Sequence, residues 1–288
     1  MDLATLARVL TWGLVTGSVY MLLATGITLI FGVMKVVNFA HGELMMLGAF
    51  VTFILAHSAG LSPYLAIFVS MAAVGLVGVV IERFGFRWLR GGEKINEVFF
   101  SIALILILQN ALARVFVPRF REHVQIKTPY ATEVVDLGLI TLRYDFIVLL
   151  VLAWTIVAGL WVVLHRTGLG RDVRATSQNR VAAMLIGIRV ERMDMLTFGI
   201  GAALGALAGS LYGIVNPFSP YTGTLPSIKA FAVIILGGLG SVRGAVIGGL
   251  LYGCIESAAT FSWRDATAFV LLILVLLTRP QGLFREGT

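Results

Sequence analysis

The sequence predicts an all-α fold, a polytopic bundle of about eight transmembrane segments in which at least one helix is broken or re-entrant. Composition is the first reason, because 58% of the 288 residues are hydrophobic, only 13% are charged and the mean hydropathy is +0.94. A water-soluble domain needs more polar surface than this. The second reason is that the apolar residues form long continuous runs, which favours helices over the alternating segments of about 10 residues that a membrane β-barrel shows.

The apolar runs define the predicted segments. A helix crosses a hydrocarbon core of about 30 Å with about 20 apolar residues. Runs free of Asp, Glu, Lys and Arg that approach or exceed this length are 9–34, 44–81, 146–164 and 195–228, and shorter ones are 98–113, 230–242, 244–255 and 266–278. No stretch is disordered or low in complexity, so we treat residues 1–288 as one transmembrane domain.

The positions of the basic residues predict the orientation of these segments. The formal charge is +7, and the basic side chains lie in short connections, most densely in the connection 166–194. Cytoplasmic loops carry such an excess of Lys and Arg, so we place this connection inside the cell. Parity then places the connection 82–97 inside, the connections 114–145 and 216–227 outside, the N-terminus outside, and the C-terminal tail with Arg279 and Arg285 inside.

The same parity predicts a broken helix late in the chain. An odd number of crossings must follow Pro226, and a single crossing is too short to contain the apolar runs that remain. We therefore predict a turn at 237–244 with half-helices on both sides and a break near Gly240.

The basic connection contains a segment that suits contact with another protein. Residues 171–188 read RDVRATSQNRVAAMLIGI, in which charges come first and a short amphipathic helix follows, closed by Gly187. This helix presents Ala182, Ala183, Leu185 and Ile186. A groove on a partner protein would fit it, and a plain linker lying on the membrane surface is the alternative.

A stripe of glycines predicts close helix packing. Gly201, Gly205, Gly209 and Gly213 recur at every fourth residue, so one face of their helix has almost no side-chain bulk. Small residues at this spacing let a second helix approach closely, and we interpret the stripe as a packing surface.

Polar residues inside apolar surroundings are the candidates for a solute path. The sequence NFAHGE at 38–43 contains Asn38, His41 and Glu43 between two long apolar segments, where unpaired polar groups are costly. They would bind solute or gate its path, unless Glu43 sits at the membrane surface and His41 caps a helix. Arg243 and Glu256 are further isolated charges, which would pair with each other, pair with a partner subunit, or lie at the membrane interface.

The sequence also excludes several classes of function. No GxxxxGK[ST] motif occurs, so a P-loop for ATP must come from another polypeptide if ATP drives the protein. The histidines show no metal-ligand spacing, no catalytic constellation is recognisable, and the basic residues fit orientation signals better than a nucleic-acid surface. An ion-coupled secondary transporter and a passive channel remain the alternatives from other classes.

Six motifs then carry a family resemblance. They are NFAHGE (38–43), RTGLGRDVRA (166–175), LIGI (185–188), NPF (216–218), KAFAVIILGGLGSVRGAVIGG (229–249) and LLTRPQGLF (276–284), in this order. With these motifs the chain resembles the membrane permeases of branched-chain amino acid ABC importers, the LivH type. Members often have proline where this chain has Arg243 and an acidic residue where it has Asn179.

The resemblance implies a bacterial inner-membrane permease for branched-chain or other hydrophobic amino acids, with urea, short amides and other small carboxylates as alternative solutes. It implies as partners a second, related permease, two ATP-binding subunits that hold ATP and Mg, and a periplasmic or extracellular solute-binding protein. The coupling element that contacts an ATPase would comprise Gly170, Arg171, Arg174, Ala175, Asn179, Ala182, Ala183 and Gly187. The solute path would comprise Asn38, His41, Glu43, Gly237, Gly238 and Gly240.

Overall fold

The computed structural model describes residues 3–120, 122–136, 138, 141–260, 263–279 and 282–284. Arg285, one of the basic residues of the predicted cytoplasmic tail, lies outside these residues. The helices are α1 (Leu3–Met34), α2 (His41–His57), α3 (Pro63–Ile81), α4 (Arg87–Leu89), α5 (Lys94–Phe116), α6 (Tyr144–Arg166), α7 (Gly168–Gln178), α8 (Arg180–Leu185), α9 (Val190–Val215), α10 (Thr224–Gly237), α11 (Val242–Ala258) and α12 (Arg264–Thr278). A π-helical turn, Glu82–Phe86, joins α3 to α4, and a short antiparallel hairpin pairs β1 (Val134–Asp136) with β2 (Thr141–Arg143).

The predicted all-α membrane bundle with a broken helix is confirmed, but the count of about eight membrane segments is not. Within the described residues, five helices are long and apolar enough to cross a membrane, or six if the bent pair α10–α11 is one span. The apolar run 44–81 divides into α2 and α3. At 17 residues α2 is shorter than a span, as are α10, α11 and α12 with 14, 17 and 15 residues.

Two long helices, α1 and α9, form the centre of the bundle. α1 packs along α11 and α9, while α9 also packs against α2 and α3. Their side chains, with those of α2, make a core in which Leu22, Leu23, Met45 and Leu207 have no exposed surface. The helices α3, α5 and α6 present most of their apolar surface outward, as helices facing lipid do.

The glycine stripe of α9 lies where neighbouring helices come closest. A Cβ built on Gly201 would lie 2.9 Å from the carbonyl oxygen of Gly26 in α1, and one on Gly205 would lie 3.2 Å from Nε2 of His41 in α2. A Cβ on Gly209 would overlap the carbonyl oxygen of Met45. The absence of side chains on this face therefore sets the distance of α1 and α2 from α9.

Two segments turn back into the bundle, so that α2 and α10 begin beside each other inside it. After α1 ends, the chain reverses at Lys35, whose φ of 57° is in the left-handed region. His41 at the start of α2 then reaches Gly26, about two turns before the end of α1. On the other side, the chain after α9 forms an isolated β-bridge between Phe218 and Val124 and then turns back towards the start of α10. Gly42 and Gly223 then contact each other directly where α2 and α10 start.

The break near Gly240 is confirmed. The chain bends by 119° between α10 and α11, and the four residues between them include Gly238 at φ 101° and Gly240 at φ 92°. Ser241 begins α11, because its Oγ accepts a hydrogen bond of 3.1 Å from the backbone N–H of Gly244. The end of the described chain returns to this turn, where the N–H of Leu283 donates to the carbonyl of Leu236 at 2.8 Å.

Candidate functional site

The connection 166–194 folds into two consecutive helices, α7 and α8. Each begins with a side-chain cap, since Thr167 Oγ1 accepts from the N–H of Gly170 at 3.2 Å and Asn179 Oδ1 accepts from the N–H of Ala182 at 3.0 Å. Asn179 is extended, at φ −151° and ψ 105°, and therefore ends α7. The predicted short amphipathic helix corresponds to α8, and Asn179 sets where it starts.

The outer end of α8 exposes a compact set of large apolar side chains. Leu185 is 83% exposed and Ile186 is 75% exposed. We call this surface the apolar tip, and it consists of Val181, Met184, Leu185 and Ile186. Large apolar groups grouped at the outer end of a helix between polar neighbours are typical of a protein contact site.

The predicted coupling residues divide between exposed and buried positions. Arg171, Asn179, Ala182 and Gly187 are exposed, while Arg174 and Ala175 are half-buried. Gly170 and Ala183 are buried, which corrects the expectation that Ala183 faces outward on the amphipathic helix. A Cβ on Gly170 would overlap the carbonyl oxygens of Val163 and Leu164, so this glycine packs α7 against α6 and is not free to contact a partner.

An ion-pair cluster fixes the start of α8 to the membrane helices. The two terminal nitrogens of the Arg180 guanidinium, Nη1 and Nη2, donate to the carboxylate of Asp194 in α9, at 3.0 and 2.7 Å. Arg90 binds Asp194 at 2.5 Å and Glu82 at 2.6 Å, and both acids are fully buried. We call Glu82, Arg90, Arg180 and Asp194 the Asp194 cluster. In the sequence Arg180 and Asp194 are two of the charges of the connection 166–194, and a contact between separate helices leaves no local pattern that would pair them.

The Asp194 cluster also reaches the end of α1. Arg180 Nη1 donates a second hydrogen bond of 3.2 Å to the carbonyl of Val33. One arginine therefore connects α8 to two of the longest helices, and a displacement of α8 acts directly on α1 and α9.

A cavity of about 840 Å³ lies at this end of the bundle, between α1, α6, α7 and the α10–α11 turn. Gly238 and Gly240, both predicted for the solute path, line it beside Arg174 of α7. The structure thus places two predicted path glycines next to a predicted coupling residue. The third path glycine, Gly237, instead contacts the backbone of Gly244.

The three polar residues of NFAHGE are buried in the bundle. Asn38, His41 and Glu43 are each 1% exposed or less, and none of them lines a cavity described here. Glu43 therefore does not sit at the surface. His41 is the first residue of α2, and no side-chain hydrogen bond caps this helix start. Their part in the solute path stays a prediction.

Glu43 does have one partner that sequence analysis missed. Gln109 of α5 donates to Glu43 Oε1 at 2.9 Å and to Thr224 Oγ1 at 3.2 Å. Gln109 lies beside Asn110 in the uncharged run 98–113, and side-chain amides inside such a run are the signal that could have identified it.

A second buried charge cluster lies at the opposite end of α11 from Arg243. Lys229 Nζ is 2.6 Å from Glu256 Oε1 and 2.8 Å from Asp265 Oδ1, and Tyr20 donates to Glu256 Oε1 at 3.2 Å. Glu256 therefore pairs with Lys229. Of the three alternatives for Arg243 and Glu256, their pairing with each other is excluded, because they lie at opposite ends of α11.

We expect Lys229→Met to destabilise the chain, because it leaves Glu256 buried without its cation. Removing one partner of a buried ion pair costs about 3–5 kcal/mol. The double variant Lys229→Met/Glu256→Leu should recover most of this loss, since no buried charge then remains unpaired. Thermal unfolding in detergent measures both, with the exposed Lys94→Met as control. A single variant as stable as Lys94→Met would contradict the pairing.

Comparison with known proteins agrees with the geometry. The family described as branched-chain amino acid transport system / permease component matches residues 9–278. The chain is 36% identical to the permease protein BraD of Pseudomonas aeruginosa, covering 94% of this chain and 93% of BraD. It is 32% identical to the permease protein LivH of Escherichia coli K12, covering 94% and 92%.

A solved structure shares the fold at low identity. PsaBC from Streptococcus pneumoniae in complex with Fab matches with a TM-score of 0.50 and 15% identity, covering 96% of this chain and 92% of that chain. This likeness concerns the arrangement of helices alone. The match of the family over 9–278, together with BraD and LivH, shows that this chain belongs to the family of permease components of branched-chain amino acid transport systems.

Proposed function

We propose that this chain is the transmembrane permease subunit of an ATP-driven ABC importer that carries branched-chain or other hydrophobic amino acids across the bacterial inner membrane. The observation that carries the proposal is the pair of consecutive helices α7 (Gly168–Gln178) and α8 (Arg180–Leu185), which we call the α7–α8 hairpin. It exposes the apolar tip and is joined through the Asp194 cluster to the membrane helices. BraD and LivH are named as permeases of high-affinity branched-chain amino acid transport, which supports the choice of solute.

The hairpin would couple ATP hydrolysis to transport. Two separate ATP-binding subunits hold ATP and Mg, and one of them binds the apolar tip. When it moves α8, the ion pair of Arg180 with Asp194 moves α9, and Arg90 moves the π-helical turn at Glu82. The glycine stripe of α9 then transmits the displacement to α1 and α2, which alternately opens a path to each side.

The orientation proposed from charge places the hairpin inside the cell. The start of α1 then lies outside and the C-terminal tail inside. The fold supports the placement of the two chain ends on opposite sides. Residues 283–284 form hydrogen bonds to the α10–α11 turn, and Gly240 in that turn lies close to Gly32 near the end of α1. The start of α1 is therefore at the far end of the bundle from the described C-terminal residues.

The solute path would run along the face where α2 and α10 begin. Glu43 reaches this face through Gln109 and the exposed Thr224, and the exposed apolar side chains of Phe39 and Leu225 lie nearby in the chain. A second, related permease would close this face, and a periplasmic or extracellular solute-binding protein would deliver the solute. The apolar side chains suit hydrophobic amino acids better than urea or short amides.

Transport by the complete complex in proteoliposomes tests the proposal. We expect uptake of labelled leucine to require internal ATP, the ATP-binding subunits and the solute-binding protein. Uptake driven by an ion gradient without ATP would overturn the importer class. ATP-dependent uptake of urea or acetamide in preference to leucine would overturn the solute class alone.

A further inference from the structure

The cavity beside the α10–α11 turn has one strongly basic wall. Lys35, His165, Arg174 and Arg243 line it, and the described lining residues include neither Asp nor Glu. The four side chains come from the end of α1, the end of α6, α7 and the start of α11. Basic groups from four elements thus surround a single space of about 840 Å³.

The basic wall has unused capacity to bind an anion. Arg174 Nη1 is buried and has no hydrogen-bond partner among the described residues, and the described structure gives Arg243 neither a hydrogen bond nor an ion pair. The N-terminus of α11, at Val242, also lines the cavity, and the helix dipole favours negative charge there. A buried guanidinium nitrogen without a partner is costly, so a bound anion would stabilise this arrangement.

The other wall of the cavity is apolar. Leu29, Trp161, Leu164 and Leu239 line it, and Trp161 and Leu239 are themselves exposed. The Trp161 ring stacks on His165, with 4.6 Å between the ring centroids. Tryptophan in such a position is typical of the membrane–water interface, where one part of the side chain meets lipid and another meets polar groups.

We propose that this cavity binds an anionic phospholipid. The phosphodiester lies between Lys35, Arg174 and Arg243, and the acyl chains lie along Trp161 and Leu164. Basic pockets between membrane helices recognise acidic headgroups in this way. A free phosphate would use only the basic wall, whereas a phospholipid uses both. The lipid joins α7 to the α10–α11 turn and leaves the apolar tip of α8 uncovered.

Native mass spectrometry of the purified full-length chain tests this site. We expect the wild type to retain phosphatidylglycerol about tenfold more tightly than phosphatidylcholine. Lys35→Asn and Arg243→Gln should each weaken phosphatidylglycerol binding about fivefold, because each basic group near the headgroup contributes about that factor. Asparagine is chosen at position 35 because it tolerates the left-handed backbone there. Arg83→Gln is the control, since Arg83 is exposed at the same end of the bundle and does not line the cavity.

Three results would overturn the proposal. The first is equal retention of the two lipids by the wild type. The second is an unchanged lipid preference in the Lys35→Asn/Arg243→Gln double variant. The third is release of phosphatidylglycerol by millimolar inorganic phosphate, which would mean that a free anion occupies the cavity.

A second measurement covers the case in which the double variant does not fold. Phosphatidylglycerol with brominated acyl chains should quench the fluorescence of the wild type more than brominated phosphatidylcholine does. This difference should be lost in Trp161→Phe, because Trp161 lines the cavity. Equal quenching by both lipids in the wild type, or a difference that persists in Trp161→Phe, would contradict the site.

Discussion

Gly209→Ala is expected to prevent normal assembly of the bundle. The added Cβ would overlap the carbonyl oxygen of Met45 and lie 2.6 Å from its carbonyl carbon. Both are backbone atoms of α2, so no side-chain rotation relieves the overlap, and α2 must move away from α9. Overpacking that requires backbone shifts typically costs about 1–3 kcal/mol and occasionally more, and an overlap with a backbone atom belongs at the upper end. The yield of monodisperse protein and the unfolding temperature in detergent measure the effect.

Gly159→Ala is the matched control, because nothing lies within 4 Å of a Cβ at this position on α6. It should be neutral or stabilising by up to about 1 kcal/mol, the difference in helix propensity between alanine and glycine. Gly205→Ala should lie between the two, since its Cβ meets only the His41 side chain, at 3.2 Å. If Gly209→Ala were as stable as Gly159→Ala, the packing role of the glycine stripe would be wrong.

Leu185→Asp is expected to abolish coupling without affecting insertion of the chain. Leu185 is 83% exposed at the centre of the apolar tip, so a charge there does not destabilise the fold. It does weaken the apolar contact with the ATP-binding subunit. Loss of a central apolar anchor in an interface costs about 2 kcal/mol or more, which is about a 30-fold loss of affinity. Co-purification of the ATP-binding subunits and stimulation of their ATPase activity by solute measure it.

Val134→Asp is the control for this change. Val134 is 61% exposed on β1, at the opposite end of α5 and α6 from the hairpin, so the same substitution should leave the ATPase contact intact. Full recovery of the ATP-binding subunits with Leu185→Asp would show that the apolar tip does not contact them.

The features that sequence analysis predicted correctly are those with a local pattern. The glycines between 237 and 244 mark the break because they allow the positive φ angles that Gly238 and Gly240 adopt. Continuous apolar runs also identified membrane helices, because the length and hydropathy of a helix are properties of one continuous segment of the chain.

The predicted number of membrane segments is not confirmed, because hydropathy along the chain does not report how deep a segment lies. The run 44–81 contains no charge, and its interruption is marked only by Gly60, at φ 64°, and Pro63 at the start of α3. The helices α2 and α10 are short because the segments before them turn back into the bundle, and both helices begin there, where Gly42 contacts Gly223. Contacts of this kind join residues far apart in sequence.

The polar partners were missed for a similar reason. Arg180 with Asp194, and Lys229 with Glu256, connect separate helices, and each charge taken alone resembles an orientation signal or an interfacial residue. Of the apolar tip, the sequence predicted Leu185 and Ile186 but not Val181 and Met184. The burial of Ala183 was not predicted, because it depends on how α8 lies against α9.

Cysteine accessibility at Leu185 tests the central claim, that the α7–α8 hairpin projects into the cell. Cys254 is the sole cysteine, so Cys254→Ala gives a background without thiols, into which Leu185→Cys or Val134→Cys is introduced. In intact cells that produce this chain without the ATP-binding subunits, we expect an impermeant maleimide to label Val134→Cys at once and Leu185→Cys only after permeabilisation. Labelling of Leu185→Cys in intact cells would contradict the account.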